Sequence, residues 1–235
     1  MKAELIQFTE IPDILPSHPV ISIAGAGGKT TLMFALAKTL SGTVITTTTT
    51  KVGEHQIKSA DMQIPLSDFP PTKTKKIIWV SPSLLPHNGK ITGCGESEFT
   101  RLAAISARNN WPLIAETDGA AMRHIKAPAA HEPVIPPECN ICFYLVGLDV
   151  LGLPLNAENV HRPDLFSEIT GLKQGDSITT NSVIRLLEHP EGGLKNVSDN
   201  TLHLAYLTHA DTKERKTAGQ NIAEKLEHYS YVCMN

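Results

Sequence analysis

The sequence contains few cysteines, few aromatic residues and no excess of basic charge. Four of its 235 residues are cysteine, 5% are aromatic, and the formal net charge is −3. Four scattered cysteines are too few for a disulfide framework in a chain of this size, so we expect reduced thiols. A chain without a basic excess is not strongly attracted to a polyanion. These features argue against nucleic acid or an anionic membrane surface as the partner.

Long apolar runs are also missing. No segment is apolar over the length that a bilayer requires, and residues 1–20 lack the apolar core of a secretory signal. We therefore expect a cytoplasmic protein with no membrane partner. A chain of 235 residues can bury a full core, and we predict a single α/β domain over residues 1–235.

One CxxC pair, formed by Cys139 and Cys142, has the spacing of half a zinc site or of a redox pair. A structural zinc site would need a second such pair, and the sequence has none. Cys142 also enters the apolar run "ICFYLVG". We therefore interpret both cysteines as small, buried hydrophobic residues.

Apolar segments rich in β-branched residues alternate with amphipathic segments. We predict strands at 19–24, 43–49, 76–81, 112–117, 142–147, 202–208 and 230–234, and helices at 30–40, 96–109, 179–188 and 212–228. This alternation is typical of a mostly parallel sheet covered by helices on both faces, a three-layer fold like that of P-loop NTPases. Residues 150–200 contain more turn residues, which predicts a helical or loop-rich insertion forming one wall of the site.

The segment "GAGGKTT" joins the first of these strands to the first helix. It combines glycines that expose backbone N–H groups, a helix N-terminus, a lysine and a hydroxyl for Mg²⁺, which together suit the phosphates of a nucleotide. The candidate nucleotide-binding residues are Gly25, Ala26, Gly27, Gly28, Lys29, Thr30 and Thr31. The alternative is a glycine turn with a solvated lysine. In both cases we expect Lys29 to be exposed and to contribute little to stability.

The loop departs from the standard pattern GxxxxGK(S/T), because Ile23 stands where the leading glycine should be. Its spacing resembles the shorter GxxGK(S/T)(S/T) loop of Mur-type ligases, with Gly25 as the first loop glycine.

Two carboxylates stand at the end of the predicted strand at 112–117, Glu116 within it and Asp118 directly after it. Alternation along a strand places Glu116 and Asp118 on the same face. We expect Asp118 to hold Mg²⁺ opposite Thr30, and Glu116 to orient or deprotonate the nucleophile, so that Thr30, Glu116 and Asp118 are the candidate metal residues. The alternative is a carboxylate pair that caps the following turn.

Polar residues also end two other predicted strands. Thr48, Thr49 and Lys51 lie at the end of the second strand, at the edge where α/β sheets bind ligands, so they are candidates for the γ-phosphate or its metal. Near the C-terminus, "THAD" partly matches the (N/T)KxD element by which GTPases bind guanine, with His209 in place of lysine. Thr208 and Asp211 are therefore candidate base contacts, although Asp211 could equally cap the next helix.

Six segments occur in the order "GAGGKTTLM", "TTTTTK", "AETDGAAMRHIKAPAAHEPVIP", "VGLDVLGLPL", "VHRP" and "LTHAD". In these the chain resembles the YqeC family, accessory factors for selenium-dependent molybdenum hydroxylases. The resemblance implies a nucleotide-binding protein of selenium or molybdenum cofactor maturation, whose partner is a molybdenum hydroxylase or its cofactor.

The resemblance directs attention to further residues in these segments. Arg123 and Lys126 could stabilise a transferring phosphoryl group or bind an anionic substrate, the alternative being a solvated basic turn. His161 and Arg162 become candidate contacts to a second substrate. The pair His131–Glu132 lacks HExxH spacing, so we interpret it as loop packing.

Three functions are compatible with these patterns. The first is a Mg²⁺-dependent ATP- or GTP-hydrolysing accessory enzyme in which Lys29, Glu116, Asp118 and Arg123 are catalytic. The second is a kinase-like or ligase-like enzyme that transfers a phosphoryl group to an anionic acceptor held by Arg123, Lys126 and Arg162. The third is a module that senses nucleotide without turnover.

Overall fold

The computed structural model describes residues 2–235, and these residues contain thirteen strands. The strands are β1 (Glu4–Ile6), β2 (Val20–Gly25), β3 (Val44–Thr48), β4 (Lys51–Gly53), β5 (Met62–Pro65), β6 (Ile77–Ser81), β7 (Lys90–Thr92), β8 (Leu113–Glu116), β9 (Ile125–Lys126), β10 (Ile141–Gly147), β11 (Val160–His161), β12 (Leu202–Thr208) and β13 (Tyr231–Met234). Nine of them form one parallel sheet in the order β1-β13-β12-β10-β2-β8-β3-β6-β5. The remaining four pair as β9 with β11 and β4 with β7.

Six α-helices cover this sheet within residues 2–235: α1 (Ile11–Ile14), α2 (Lys29–Thr39), α3 (Glu96–Arg108), α4 (Pro163–Thr170), α5 (Thr180–Glu188) and α6 (Lys213–Ala223). Alternation along β10 shows the layers. Phe143 and Leu145 belong to the core under α2, whereas Tyr144 and Val146 belong to the core under α4, α5 and α6. Helix α3 covers the second face further along the sheet, over Leu113. The α/β three-layer prediction is confirmed.

All seven predicted strands are present, with boundaries within one residue of the predicted ones. The sequence patterns missed β1 and β5, which lie at the two edges of the sheet, and helices α1 and α4. The predicted helix 212–228 is too long, because α6 ends at Ala223. The Glu188 carboxylate accepts hydrogen bonds from the backbone N–H groups of Glu227 and His228, which turns the chain toward β13. No helix within residues 2–235 combines the length and the apolar character needed to cross a bilayer.

The chain order of the strands creates a crevice beside β2. From β2 the chain passes to β3, β5, β6 and β8 on one side, and then returns to β10, β12 and β13 on the other. Parallel α/β sheets bind ligands outside the carboxyl ends of the strands where the order reverses in this way. The loops after β2, β8, β10 and β12 therefore meet at one edge.

Candidate functional site

The loop between β2 and α2 can be formed only with glycine at two positions. Gly25 and Gly27 have φ values of +88° and +99°. A Cβ atom on Gly25 would lie 2.4 Å from the backbone oxygen of Leu145, and one on Gly27 would lie 2.7 Å from the backbone nitrogen of Gly147. Both the backbone conformation and the close approach of β10 therefore exclude larger residues.

The N-terminus of α2 presents a set of free backbone donors. The first helical hydrogen bond runs from the N–H group of Leu32 to the oxygen of Gly28. Within residues 2–235, the backbone N–H groups of residues 27–31 have no acceptor. These groups add to the positive end of the helix dipole, which is the environment that favours a phosphate.

Lys29 is folded back over this loop. Its Nζ donates to the backbone oxygen of Gly25 at 2.8 Å and lies 3.2 Å from Oδ1 of Asp118. Only 7% of the residue is exposed, so the expectation of an exposed loop lysine is wrong. The ammonium group is held in the loop by its hydrogen bond to the Gly25 carbonyl and by its ion pair with Asp118.

Glu116, and not Asp118, lies opposite the threonine of the loop. The Thr30 hydroxyl donates to Oε1 of Glu116 at 2.5 Å, and the Gln56 side chain donates to the same hydroxyl at 3.0 Å. Burial raises the pKa of Glu116, and the charge of Lys29 and the Thr30 hydrogen bond oppose that rise. Glu116 is the last residue of β8, and its hydrogen bond with Thr30 holds the carboxylate beside the first turn of α2. Gln56 was missed by the sequence analysis, since no pattern marks a glutamine in the turn that follows β4.

Asp118 lies beyond the strand end and has other partners. Its Oδ2 accepts a hydrogen bond from the backbone N–H of Gly25 and forms an ion pair with Nζ of Lys126, each at 2.9 Å. The side chain is fully buried. Asp118 therefore fixes the first glycine of the loop, and the predicted position opposite Thr30 is wrong.

Lys126 and Arg162 are neutralised by carboxylates. The fully buried Nζ of Lys126 contacts Asp118, Glu132 at 2.6 Å and the backbone oxygen of Gly119 at 2.6 Å. Arg162 Nη1 donates to the same Glu132 oxygen at 2.6 Å. Burial alone would raise the pKa of Glu132, but its bonds to Arg162 and Lys126 together lower that pKa to about 2. Lys126 is therefore not available to an anionic substrate, which corrects that prediction, whereas 25% of the Arg162 side chain remains exposed.

The neighbouring histidines have less specific roles. His131 is exposed and Glu132 is buried in the ion pairs, so the interpretation of this pair as loop packing agrees with its geometry. His161 is half-buried on β11, which pairs with β9. Desolvation lowers the pKa of His161, and the charges of Arg162 and Lys126 lower it further.

A cleft of about 500 Å³ opens in front of the loop. It is lined by Gly27, Gly28, Lys29, Thr30, Thr31, Lys51, Val52, Gly53, His55, Gln56, Lys90, Glu116, Asp118, Gly119, Ala120, Ala121, Met122, Arg123, His124 and His209. None of these belongs to the segment 150–200, so the prediction that this segment forms a wall of the site is wrong. Its apolar residues, such as Phe166 and Leu186, instead pack into the core under α4, α5 and α6.

Of the three candidates Thr48, Thr49 and Lys51 at the end of β3, only Lys51 lines this cleft. The Thr48 hydroxyl donates to the backbone oxygen of Glu116, and the Thr49 hydroxyl donates to that of Val134, each at 3.0 Å. These hydroxyls tie β3 to β8 and to the loop beyond it, which corrects their predicted contact with a phosphate. Arg123 does line the cleft, although its Nε donates to the backbone oxygen of Ala157.

Two comparisons with known proteins place the chain. The model of the YqeC protein family matches residues 21–164. A curated protein of Escherichia coli (strain K12), "Uncharacterized protein YqeC", is 30% identical over 228 residues, which cover 89% of this chain and 83% of the relative. The chain belongs to the YqeC family. No solved structure matches it. The matched residues include the loop between β2 and α2 at 25–31, which we call the YqeC loop, together with Glu116, Asp118 and Lys126.

A second cavity of about 320 Å³ adjoins the YqeC loop on the β12 side. It is lined by Gly27, Gly28, Thr31, Leu32, Ala35, Tyr206, Thr208, His209, Asp211 and Asn235. The Thr208 hydroxyl donates to the backbone oxygen of Gly27 at 2.7 Å, which joins β12 to the loop. Thr208 and Asp211 therefore lie beside this loop.

Asp211 does not cap the following helix. The cap is Thr212, whose side chain accepts a hydrogen bond from the backbone N–H of Arg215. Asp211 is exposed and forms an ion pair with Arg215 at 2.7 Å, which holds its pKa below the usual value. The capping alternative is therefore wrong, and base recognition by Asp211 stays a prediction.

The cysteines agree with their sequence interpretation. All four are buried thiols. Burial raises the pKa of Cys142 to about 12 and that of Cys139 well above its ordinary value, so neither is a reactive thiolate. Among residues 2–235, no cluster of side chains with metal-ligand spacing includes Cys139 or Cys142.

Proposed function

We propose that this YqeC-family chain binds a nucleoside triphosphate with Mg²⁺ on residues 25–31 and hydrolyses it. One observation carries the proposal: the unpaired backbone N–H groups of residues 27–31 face the same cleft as Lys29 and the oxygen atoms of Thr30 and Glu116. Backbone donors, a lysine and paired oxygen ligands are the groups that phosphoryl chemistry uses.

Each side chain has a distinct part in this proposal. Lys29 leaves the oxygen of Gly25 and bonds an outer phosphate oxygen, which is a stronger acceptor because it is charged. Thr30 and Glu116 supply the hydroxyl and carboxylate oxygens that suit Mg²⁺, and a bound Mg²⁺ would neutralise charge on the outer phosphates. Asp118 positions the loop through the N–H of Gly25.

The base would lie in the cavity on the β12 side, against Thr208 and Asp211. A carboxylate there accepts hydrogen bonds from the N1 and N2 groups of guanine, whereas adenine offers no such pair of donors. The ion pair with Arg215 is exposed and therefore weak, so Asp211 can exchange it for a base. ATP and GTP are the two candidates to compare.

Isothermal titration with ATP, GTP and their non-hydrolysable analogues, with and without Mg²⁺, tests the binding step. We expect micromolar, Mg²⁺-dependent binding that Lys29→Ala weakens at least tenfold, because the charged hydrogen bond to phosphate is lost. Lys38→Ala is the matched control, since Lys38 is exposed in the last turn of the same helix.

Lys29 is buried, so the thermal unfolding of Lys29→Ala must be measured beside its affinity. Absence of binding by the wild-type protein, or unchanged affinity in a folded Lys29→Ala variant, would contradict the proposal. Tight binding without phosphate release would instead identify a nucleotide-sensing module.

A second candidate, phosphoryl transfer to an anionic acceptor, is favoured by the cationic wall of the cleft. Lys51, Lys90 and Arg123 line it facing the loop, and both lysines are exposed. These residues replace Lys126 and Arg162 as the acceptor's partners. Phosphate release that requires an added acceptor would favour transfer, whereas release from nucleotide alone would favour hydrolysis.

The client of this activity follows from the family resemblance. We propose a molybdenum hydroxylase or its cofactor, with hydrolysis coupled to delivery or modification of that cofactor. The experiment measures phosphate release before and after addition of the apo-hydroxylase or of the isolated cofactor. Stimulation that the Lys29→Ala variant lacks would support the assignment, and an unchanged rate would contradict it.

A further inference from the structure

Two histidines and an aspartate meet at the rim of the cleft. His124 follows β8, Asp149 lies in the turn after β10, and His209 follows β12. One nitrogen or oxygen atom from each side chain lies within 4.8 Å of those of the other two. His124 Nδ1 shares a hydrogen bond with Oδ2 of Asp149, and the two imidazole rings are stacked with centroids 4.6 Å apart.

The backbone brings these three side chains together. The N–H group of Gly147 donates to the backbone oxygen of His124 at 2.7 Å. A Cβ atom on Gly147 would lie 2.7 Å from Oδ1 of Asp149 and 2.8 Å from Cβ of His124, so only glycine leaves room for the approach. His209 has a φ of +58°, a left-handed conformation that costs energy in a residue other than glycine.

One oxygen of the cluster has no partner. Oδ1 of Asp149 is buried and accepts no hydrogen bond within residues 2–235. A buried carboxylate oxygen without a hydrogen-bond partner carries an uncompensated cost of desolvation. A simple His124–Asp149 ion pair would use Oδ2 and leave this cost in place. A cation beside Oδ1 would remove it.

We propose that His124, Asp149 and His209 bind one divalent transition-metal ion of the class of Zn²⁺, Co²⁺ or Ni²⁺. Imidazole nitrogens suit these ions, whereas Mg²⁺ prefers a shell of oxygen atoms. The site is thus distinct from the Mg²⁺ ligands proposed at Thr30 and Glu116. Two histidines and one carboxylate leave part of the coordination shell open, as in catalytic metal sites.

The ion would be accessible to a substrate in the cleft, because His124 and His209 both line it. It would also lie close to the phosphate loop. Gly147 contacts the backbone of His124, and a Cβ atom on Gly27 would lie 2.7 Å from the backbone nitrogen of the same Gly147. The binding site itself is independent of the proposed nucleotide function.

The test is a titration of the full chain, free of any histidine tag and treated with EDTA, with ZnCl₂ in the absence of nucleotide. We expect one equivalent to bind, and Co²⁺ to give the visible d–d absorption of an ordered site. Asp149→Asn and His209→Asn should each lower the Zn²⁺ affinity at least tenfold. Asparagine suits both positions, since it keeps the shape of aspartate and tolerates a positive φ.

His131→Ala is the matched control, because His131 is exposed and lies outside the cluster. Glu116→Gln should also leave the Zn²⁺ affinity unchanged while it weakens Mg²⁺-dependent nucleotide binding. Absence of nucleotide binding by the wild-type protein, with its Zn²⁺ binding retained, would therefore contradict only the proposed function.

No Zn²⁺ binding by the wild-type protein would overturn the inference. The same holds for an affinity that stays unchanged in His209→Asn, which would identify adventitious binding elsewhere. Thermal unfolding of each variant is measured in parallel. If Asp149→Asn fails to fold, the exposed His209 decides the result.

Discussion

Charged side chains on the two sides of the loop between β2 and α2 differ in burial and in pairing. On the β8 side, Asp118, Lys126 and Glu132 are buried and bonded to one another. On the β12 side, His209 and Asp211 are exposed, and Asp211 has one surface ion pair. Both sides looked equally suited to a ligand in the sequence. Partners and burial, rather than residue type, separate a scaffold from a surface that can bind a ligand.

The loss of an ion pair has a different energetic cost on each side. Removal of one partner from a buried ion pair leaves an uncompensated charge and costs about 3–5 kcal/mol. An exposed pair contributes about 0–1 kcal/mol. The β8 side therefore holds the loop in shape, whereas the β12 side can exchange partners at little cost. The following four predictions test this contrast.

The largest expected effect is on stability, from Lys126→Met. The substitution removes the buried cation that Asp118 and Glu132 share. Lys29 and Arg162 still face these carboxylates, so the free energy of unfolding should fall by about 3 kcal/mol in urea denaturation, the lower end of that range. Lys51→Met, on the exposed part of the cleft, should change it by less than about 0.5 kcal/mol. Equal effects of the two substitutions would abolish the distinction between the sides.

The pH dependence of stability in Glu132→Gln should reveal the contribution of the same buried ion pairs. The folded state lowers the pKa of Glu132 from 4.5 to about 2, so its ionised form favours folding. This contribution is fully present above pH 4.5 and is lost as the pH falls through about 2. The free energy of unfolding of the wild type should exceed that of Glu132→Gln by about 1–2 kcal/mol at pH 7. This value is reduced for solvent screening.

The acid-unfolding series provides the check on this prediction. The stability difference between wild type and Glu132→Gln should shrink between pH 4.5 and pH 2. A constant difference across that range would assign the effect to packing rather than to charge.

Glu116→Gln should change stability and binding in opposite directions. Burial raises the pKa of Glu116, so its ionised form opposes folding at pH 7. Glutamine should therefore stabilise the ligand-free protein at pH 7, a gain absent below pH 4.5. Mg²⁺-dependent nucleotide affinity should fall about tenfold, because a carboxylate ligand is lost.

Asp118→Asn is the contrasting variant for Glu116→Gln in these titrations. Asp118 holds the Gly25 N–H, so its substitution should weaken nucleotide binding equally with Mg²⁺ and in EDTA. A loss confined to the Mg²⁺ condition would return the metal to Asp118.

The smallest effect is expected on the β12 side. Asp211→Asn should lower the affinity for the preferred nucleotide about three- to tenfold, the value of one or two hydrogen bonds, and leave the other nucleotide unchanged. Stability should change by less than about 0.5 kcal/mol, because the carboxylate is exposed. Asp199→Asn, also exposed, is the control for titration with ATP and GTP. An equal loss for both nucleotides would remove Asp211 from base recognition.

The central strands and the glycine loop could be predicted because their signals are local. Strands buried on both faces appear as short apolar runs, and "GAGGKTT" needs only its own residues to form a turn into a helix. The edge strands β1 and β5 were missed, because only their neighbours in the sheet make them strands. Helix α6 was predicted too long, since Glu188, far along the chain, ends the helical path.

By itself, the sequence determined the α/β class, the order of the central strands along the chain and the glycine loop between β2 and α2. The tertiary structure decided which charges are paired. Thr30 meets Glu116 across 86 residues and Gly25 meets Asp118 across 93, while Lys126 is neutralised by two carboxylates. Hydrophobic periodicity indicates on which face of its own strand or helix a residue lies. Partners depend on how strands are ordered in the sheet, which only long-range packing sets.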